Sequence, residues 1–179
     1  MPSVVDRVIS DHASGTEQLV RYLAEQGRRR LLRLWTAPRE IPWLEARNRG
    51  FERAITQTGL PSIAPVYVKG MPARQQHDRD IFELRTRFLA GFLAEHLTGA
   101  APIDAIFVTT DCEAFNAAAA CRLLGKEPGR DVAIVGYDNA WASAGERKFE
   151  SSVPIASTDK QNPKIGSELI RVLNDRVAG

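Results

Sequence analysis

Asp138 and Asn139 stand directly after an apolar run, Val132 to Gly136, in the stretch DVAIVGYDNA. An acid and an amide at the tip of a buried strand need partners, because a buried polar group left without a hydrogen bond costs stability. Other residues of the same kind follow other apolar runs. Asp11 comes after the first predicted strand, and Arg39, Trp43 and Arg47 come after the second. Thr110 and Asp111 come after the fourth, and Trp141 lies just beyond Asp138. Carboxylates and arginine forks hydrogen-bond polyols, and indole faces pack on the apolar faces of sugar rings. The set therefore suits the holding of a small, polar, ring-shaped molecule. Each residue also has a structural alternative. Asp111 is placed to cap a helix, Asp11 to cap or hold a turn, and Trp43 and Trp141 to pack loops. Asp138 has the clearest case, since no obvious helix follows it to be capped.

Signals for catalysis are missing. The chain has no Gly-x-Gly-x-x-Gly after its first strand, no phosphate-binding Gly-x-x-x-x-Gly-Lys-Ser/Thr, no Gly-x-Ser-x-Gly elbow and no His-Glu-x-x-His. No carboxylate pair or nucleophile–base pair stands out, so no catalytic residue is assigned and no cofactor is expected. His12, His77 and His96, with Cys112 and Cys121, show no metal-ligand spacing, and no metal is expected.

These residues are positioned by short β-rich runs alternating with amphipathic helical stretches. SVVDRVIS reads as a weak first strand. SGTEQLVRYLAEQG reads as a helix with a capping box, Ser14 and Glu17, and a stop at Gly27. RLLRLW is a strand, followed by a proline-punctuated loop and a helix from about Trp43 to Gln57. Leu44, Phe51, Ala54 and Ile55 share one face of that helix, and Arg47 lies one turn after Trp43 on the rim side. IAPVYVKG is the next strand. A helix from about Asp78 to Leu97 then carries the stripe Ile81, Leu84, Phe88, Leu89, Phe92 and Leu93. DAIFVTT is a strand, DCEAFNAAAACRLLG a helix with Asp111 as expected N-cap, and DVAIVGY a strand. A looser segment leads to IAST and a last helix from about Pro163 to Val177, with Ile165, Leu169, Val172 and Leu173 on its apolar face.

Non-alternating runs such as Ala105–Val108 and Val132–Val135 imply strands covered on both faces. The expected fold is α/β: three layers, αβα, around a doubly wound, mostly parallel sheet. In such sheets, ligands bind beyond the carboxyl ends of the strands, which is where the candidate residues collect. Residues 1–179 read as a single lobe.

Composition fits a globular protein, with 44% apolar and 26% charged residues among 179. A formal charge of +2 gives little reason to expect nucleic acid at this chain's surface. The one basic run, Arg28-Arg29-Arg30, reads as a solvated helix end. Cys112 and Cys121, nine apart in one predicted helix, point to different faces and cannot bridge each other. No run reaches the length of a membrane span, and no membrane partner is expected; with two thiols and no export signal, the expected location is cytoplasmic.

Three stretches resemble LacI/GalR-type transcriptional regulators. ISDHASGTEQLVRYLAEQGRRRLLRL is similar to the segment opening their C-terminal subdomain, and EARNRGFERAITQTGL is similar to their Arg-x-x-Gly-Phe helix. PIDAIFVTTDCEAFNAAAACRLLGKEPGRDVAIVGYDNA resembles the stretch in which a strand and Asn-Asp precede a small-residue helix and a Gly-x-Asp strand end. The likeness covers nearly the whole chain. It implies one lobe of a type I periplasmic-binding-protein-like fold, closing with a second lobe on a small effector, here a sugar. By this resemblance, Arg47 and Asp138 match the effector-binding Arg and Asp, and Asp11 and Asp111 match positions at the cleft rim. Thr110 stands where many members have Asn, and WTAPREIPW replaces a loop that normally holds Gly with Ser or Thr. The resemblance further implies a homodimer. DNA would be bound only through a head domain absent from this chain. Residues 154–179 would form the crossover strand and helix that pack on the absent lobe or on a partner chain. A transport-associated periplasmic sugar-binding protein is the alternative on the same fold.

Overall fold

The computed structural model describes residues 7–75 and 77–178. Its strands are β1 (Leu31–Trp35), β2 (Val66–Tyr67), β3 (Ala105–Val108), β4 (Ala133–Tyr137) and β5 (Ala156–Thr158). All pair in parallel, in the order β2-β1-β3-β4-β5. Leu31 faces Ala105, Ala105 faces Ala133, and Val135 faces Ala156. Parallel neighbours need crossovers, which α1 (His12–Glu25), α2 (Pro42–Thr58), α3 (Arg79–Thr98), α4 (Asp111–Leu123) and α5 (Asn162–Ala178) supply or extend.

Strand alternation sends side chains to two cores. Leu32, Leu34, Ile106, Val108 and Ile134 pack with Leu89 and Leu93 of α3 and Ala117 and Cys121 of α4. Leu31, Trp35, Phe107, Val135 and Tyr137 pack with Leu19 and Leu23 of α1 and with Phe51 and Ala54 of α2. The αβα layering and parallel sheet are those expected. β2 is shorter than its apolar run because Pro65 brings no N–H to the ladder, and the strand lies at a sheet edge. The crossing of α1 and α2 is close: a Cβ at Gly50 would overlap the carbonyl oxygen of Ala13.

Several local expectations are corrected. The predicted first strand lies partly outside the described residues, and residues 7–10 are not in a strand. Asp11, not Ser14, is the N-cap of α1: its Oδ1 accepts from Ser14 N at 2.9 Å. Glu17 instead pairs with Arg53 and Arg21, so it is not available to close a capping box. Thr110, not Asp111, occupies the N-cap position of α4. The inward face of α3 is rotated from the predicted stripe. Leu84 is exposed, while Phe82, Arg85 and Thr86 are buried. Polar pairing turns the helix: Asn116 of α4 donates to Phe82 O at 2.9 Å and Thr86 Oγ1 at 3.1 Å.

The run Arg28-Arg29-Arg30 is also not a merely solvated end. Arg28 donates to the carbonyls of Gly129, Arg130 and Asp131, while the Arg29 and Arg30 amides donate to Asp104. It stitches the start of β1 to two neighbouring loops. At the other terminus, α5 keeps its expected period, but none of its described side chains is buried; Leu169, Ile170, Leu173 and Val177 are exposed. Among the described residues, no helix is long and apolar enough to cross a membrane.

Candidate functional site

In the order β2-β1-β3-β4-β5, the direction in which successive strands are added reverses between the parallel β1 and β3, and it is beyond the carboxyl ends at such a switch point that a crevice forms. Arg47 reaches this crevice from the second turn of α2. It is 1% exposed, and its Nη1 donates to Thr109 O at 2.7 Å, at the end of β3. The guanidinium carbon lies 3.5 Å from the Tyr137 ring centroid and 4.6 Å from that of Trp43. Both are cation–π distances. Burial lowers the pKa of Arg47, with Tyr137 and then Asp138 opposing that shift.

Tyr137 ends β4 and is wholly buried, its hydroxyl 2.7 Å from Thr16 Oγ1; burial pushes its pKa up to about 12. Asp138 and Asn139 follow it with φ of 96° and 51°. Asn and Asp tolerate this left-handed region better than most residues. The turn is secured by Asp138 N donating to Thr158 O at 2.8 Å and Asn139 N to Ser157 Oγ at 3.1 Å. The Asp138 carboxylate is met by Lys160, whose Nζ lies 2.6 Å from Oδ1.

His12, in the first turn of α1, closes the group. Its ring centroid is 6.1 Å from that of Trp43, with the planes tilted by 43°. Burial, then the cations Arg47 and Lys160, lower its pKa, which favours the neutral ring. The structure thus brings Arg47, Trp43, Asp138 and Asp11 together, and adds His12, Tyr137 and Lys160. The strand-tip rule that found Asp138 could have found Lys160, two residues beyond β5. Tyr137 is the last residue of the strand run DVAIVGY and His12 shows no metal-ligand spacing, so neither carries a site signal in the sequence.

Asp111 belongs to the same rim but faces inward and is fully buried. Its carboxylate accepts from Ser157 Oγ at 2.7 and 2.9 Å and from Ala140 N at 2.8 Å. It fills the space left by Gly136, where a Cβ would overlap Oδ1. Burial raises its pKa, against the lowering effect of those bonds. Thr110 is half-buried at the head of α4. Trp141 is half-buried in a short 3-10 turn, packs with Phe82, Phe115 and Ala144, and carries Arg147 5.5 Å from its ring. Its contacts lie in that separate cluster rather than with Arg47 and Trp43. Arg39 lies 5.6 Å from the Tyr67 ring, beyond β2.

Two cavities flank the group. One of about 320 Å³ is lined by Asp11, His12, Thr158, Lys160 and Gln161 among others; one of about 650 Å³ is lined by Thr36, Arg39, Glu40, Tyr67 and Lys69 among others. Donors, acceptors and a half-buried indole therefore converge at one rim, an arrangement that binds polar rings. Among the described residues, no group of three His, Cys, Asp or Glu could hold a metal ion.

This is the architecture of one lobe of a type I periplasmic-binding-protein-like domain. The family described as periplasmic binding protein-like domain matches residues 20–179. The HTH-type transcriptional regulator CelR of Thermobifida fusca is 25% identical over 175 residues, covering 98% of this chain and 46% of the relative. A LacI-family regulatory protein from Chloroflexus aggregans superposes with a TM-score of 0.72 at 25% identity, covering 98% of this chain and 58% of that one. A transcriptional regulator CelR–cellobiose complex gives a TM-score of 0.68 at 23% identity, covering 99% and 50%. The chain belongs to the periplasmic binding protein-like domain family and is similar to regulators of the LacI family. It spans about half the length of the relatives it matches. Those relatives are transcriptional regulators, not enzymes.

Proposed function

We propose that the chain senses a small sugar in a LacI/GalR-type transcriptional regulator of the cytoplasm. One observation carries the reading: Arg47, Trp43, His12 and Asp138 converge at the carboxyl tips of parallel strands, beside the switch point. Asp11 and Lys160 extend this set, with Thr110, Asp111 and Trp141 further along the same rim. The cellobiose complex of a structurally similar regulator supports a sugar as the ligand class.

The mechanism proposed is a population shift. An effector that contacts this rim and a second lobe favours the closed arrangement by its difference in affinity for the two states. In a homodimer, closure alters the spacing of DNA-reading heads, and the coupling is reciprocal between effector and operator. The open apolar face of α5 supports burial against a second lobe or a second copy. Isothermal titration with cellobiose, glucose and a pentose tests the reading. Saturable binding that Asp138→Ala weakens at least about tenfold is expected, about 1.4 kcal/mol. Absence of binding by every small polar ligand tried, in a folded chain, would overturn it.

A further inference from the structure

Glu113 lies in the first turn of α4, where the helix end favours an acid without any need for burial. Its carboxylate is instead turned inward. The side chain is 13% exposed, and among the described residues its buried Oε2 has no hydrogen-bond partner. A carboxylate so placed is costly unless it is paired. Arg85 of α3 stands off: its Nη2 is 3.9 Å from Oε1, while its other nitrogens donate to Pro72 O and Asn116 Oδ1. The close partner of Glu113 is Thr36, whose hydroxyl donates to Oε1.

Thr36 is the first residue beyond β1 and Thr109 the first beyond β3, so the two meet across the switch point. Thr36 N donates to Thr109 Oγ1 at 2.9 Å, and the two hydroxyl oxygens are 3.1 Å apart. The Thr36 hydroxyl has one proton and two acceptors within reach, and the charge-assisted bond to a carboxylate is the stronger. An ionised Glu113 therefore draws that proton, whereas a neutral carboxyl has a proton of its own to donate and reverses the order. From Thr36 the chain enters residues 37–40, of which 38–40 are exposed. Thr36, Arg39 and Lys69 share the wall of the cavity of about 650 Å³.

We propose that Glu113 is a positioning residue for the effector site: its carboxylate holds Thr36 against Thr109 and so sets the 36–40 loop that walls the larger cavity. The inference rests on the reading of this rim as the effector site. Burial raises the pKa of Glu113, opposed by Thr36, Arg85 and Thr109. Arg47 of α2, Arg74 before α3 and Cys112 on α4 also feel its charge. The arginines stay charged, and burial pushes the Cys112 thiol up. Glu146 is buried as well, but the bond from Arg74 lowers its pKa. Glu113 is thus the member of this cluster that changes charge between about pH 5 and 8.

The test follows the Thr36 amide by NMR over that range and titrates cellobiose, glucose and xylose by calorimetry at both ends. It uses the unmodified chain and Glu113→Gln, which keeps an acceptor but cannot change charge. The Thr36 shift should show a step with its midpoint above the ordinary glutamate range, absent from Glu113→Gln. Whichever sugar the unmodified chain binds should bind that variant about fivefold more weakly at the upper pH, the worth of one hydrogen bond, and less so at the lower. A step that survives in Glu113→Gln belongs to another group, His12 foremost, and overturns the assignment. A loss of equal size at both ends marks a merely structural role and overturns it as well. Equal binding by both chains does the same and leaves the effector site standing. Binding of none of the three sugars by the unmodified chain overturns both. If Glu113→Gln does not fold, Thr36→Val removes the hydroxyl but keeps the shape, and the same results support or overturn the assignment.

Discussion

Asp138 and Lys160 form an ion pair of 2.6 Å across the end of the sheet, joining the tip of β4 to the segment after β5. Asp138 stands at a positive φ at the end of a buried strand, and its side chain is half-buried at the rim. Lys160 is brought opposite by the parallel pairing of Tyr137 with Thr158. The acid that ends the DVAIVGYD run thus has a protein partner that a ligand hydroxyl can share or displace.

Because both members of that pair are partly open to solvent, its contribution to stability should be small. Lys160→Met is expected to cost under about 1 kcal/mol. Urea denaturation measures it, and a loss of several kcal/mol would show that the pair holds the fold rather than the site.

Asp111 should behave in the opposite way. Its removal leaves the half-buried Ser157 hydroxyl and Ala140 amide without their acceptor. Asp111→Ala is expected to destabilise by about 3 kcal/mol, and Asp111→Asn, which keeps one acceptor oxygen, by less. Thermal denaturation of the two variants beside the unmodified chain tests the order, and equal stability of all three contradicts it.

Two glycines mark close approaches without room for a methyl group. Gly50→Ala would push α2 away from α1 at Ala13, and Gly136→Ala would displace the Asp111 carboxylate. Each is expected to cost about 1–3 kcal/mol, the range for overpacking a core. Gly166→Ala, with open space around it, serves as the control and should not destabilise.

His12 should give the lobe a dependence on pH. Its pKa is lowered in the folded chain by burial and by Arg47 and Lys160. The unfolded chain therefore binds more protons between the folded value and about 6.5. Stability from this residue is complete above about 6.5 and falls as the pH drops through that value toward the folded pKa. Urea midpoints at pH 7.5 and 5.5 should differ less in His12→Asn than in the unmodified chain. The same difference in both would dismiss the histidine as the cause.

Leu173 on α5 is 61% exposed, so Leu173→Lys should change stability by no more than about 0.5 kcal/mol. If α5 is the surface on which two copies meet, the substitution moves sedimentation equilibrium toward the monomer. An unchanged distribution would place any dimer contact elsewhere.

The strands and helices were legible because their signals are local. Continuous apolar runs at Ala105–Val108 and Val132–Val135 read as doubly covered strands, and the strands found there are buried throughout. The strand-tip rule also placed Arg47, Trp43 and Asp138 at one rim from the sequence, because chain order and parallel pairing leave few alternatives. Tertiary structure decided how each side chain is spent. Asp11 and Asp111 are both acids near a helix start, yet one caps its helix at the surface and the other is enclosed by Ser157 and Ala140. No spacing in the chain distinguishes them, because Ser157 and Asp111 are 46 residues apart. The rotation of α3 and the pairing of Asp138 with Lys160 arise in the same way, from partners distant in sequence. Periodicity fixes which elements form; the polar accounts are settled only when those elements pack and each buried group must find an acceptor or donor within reach.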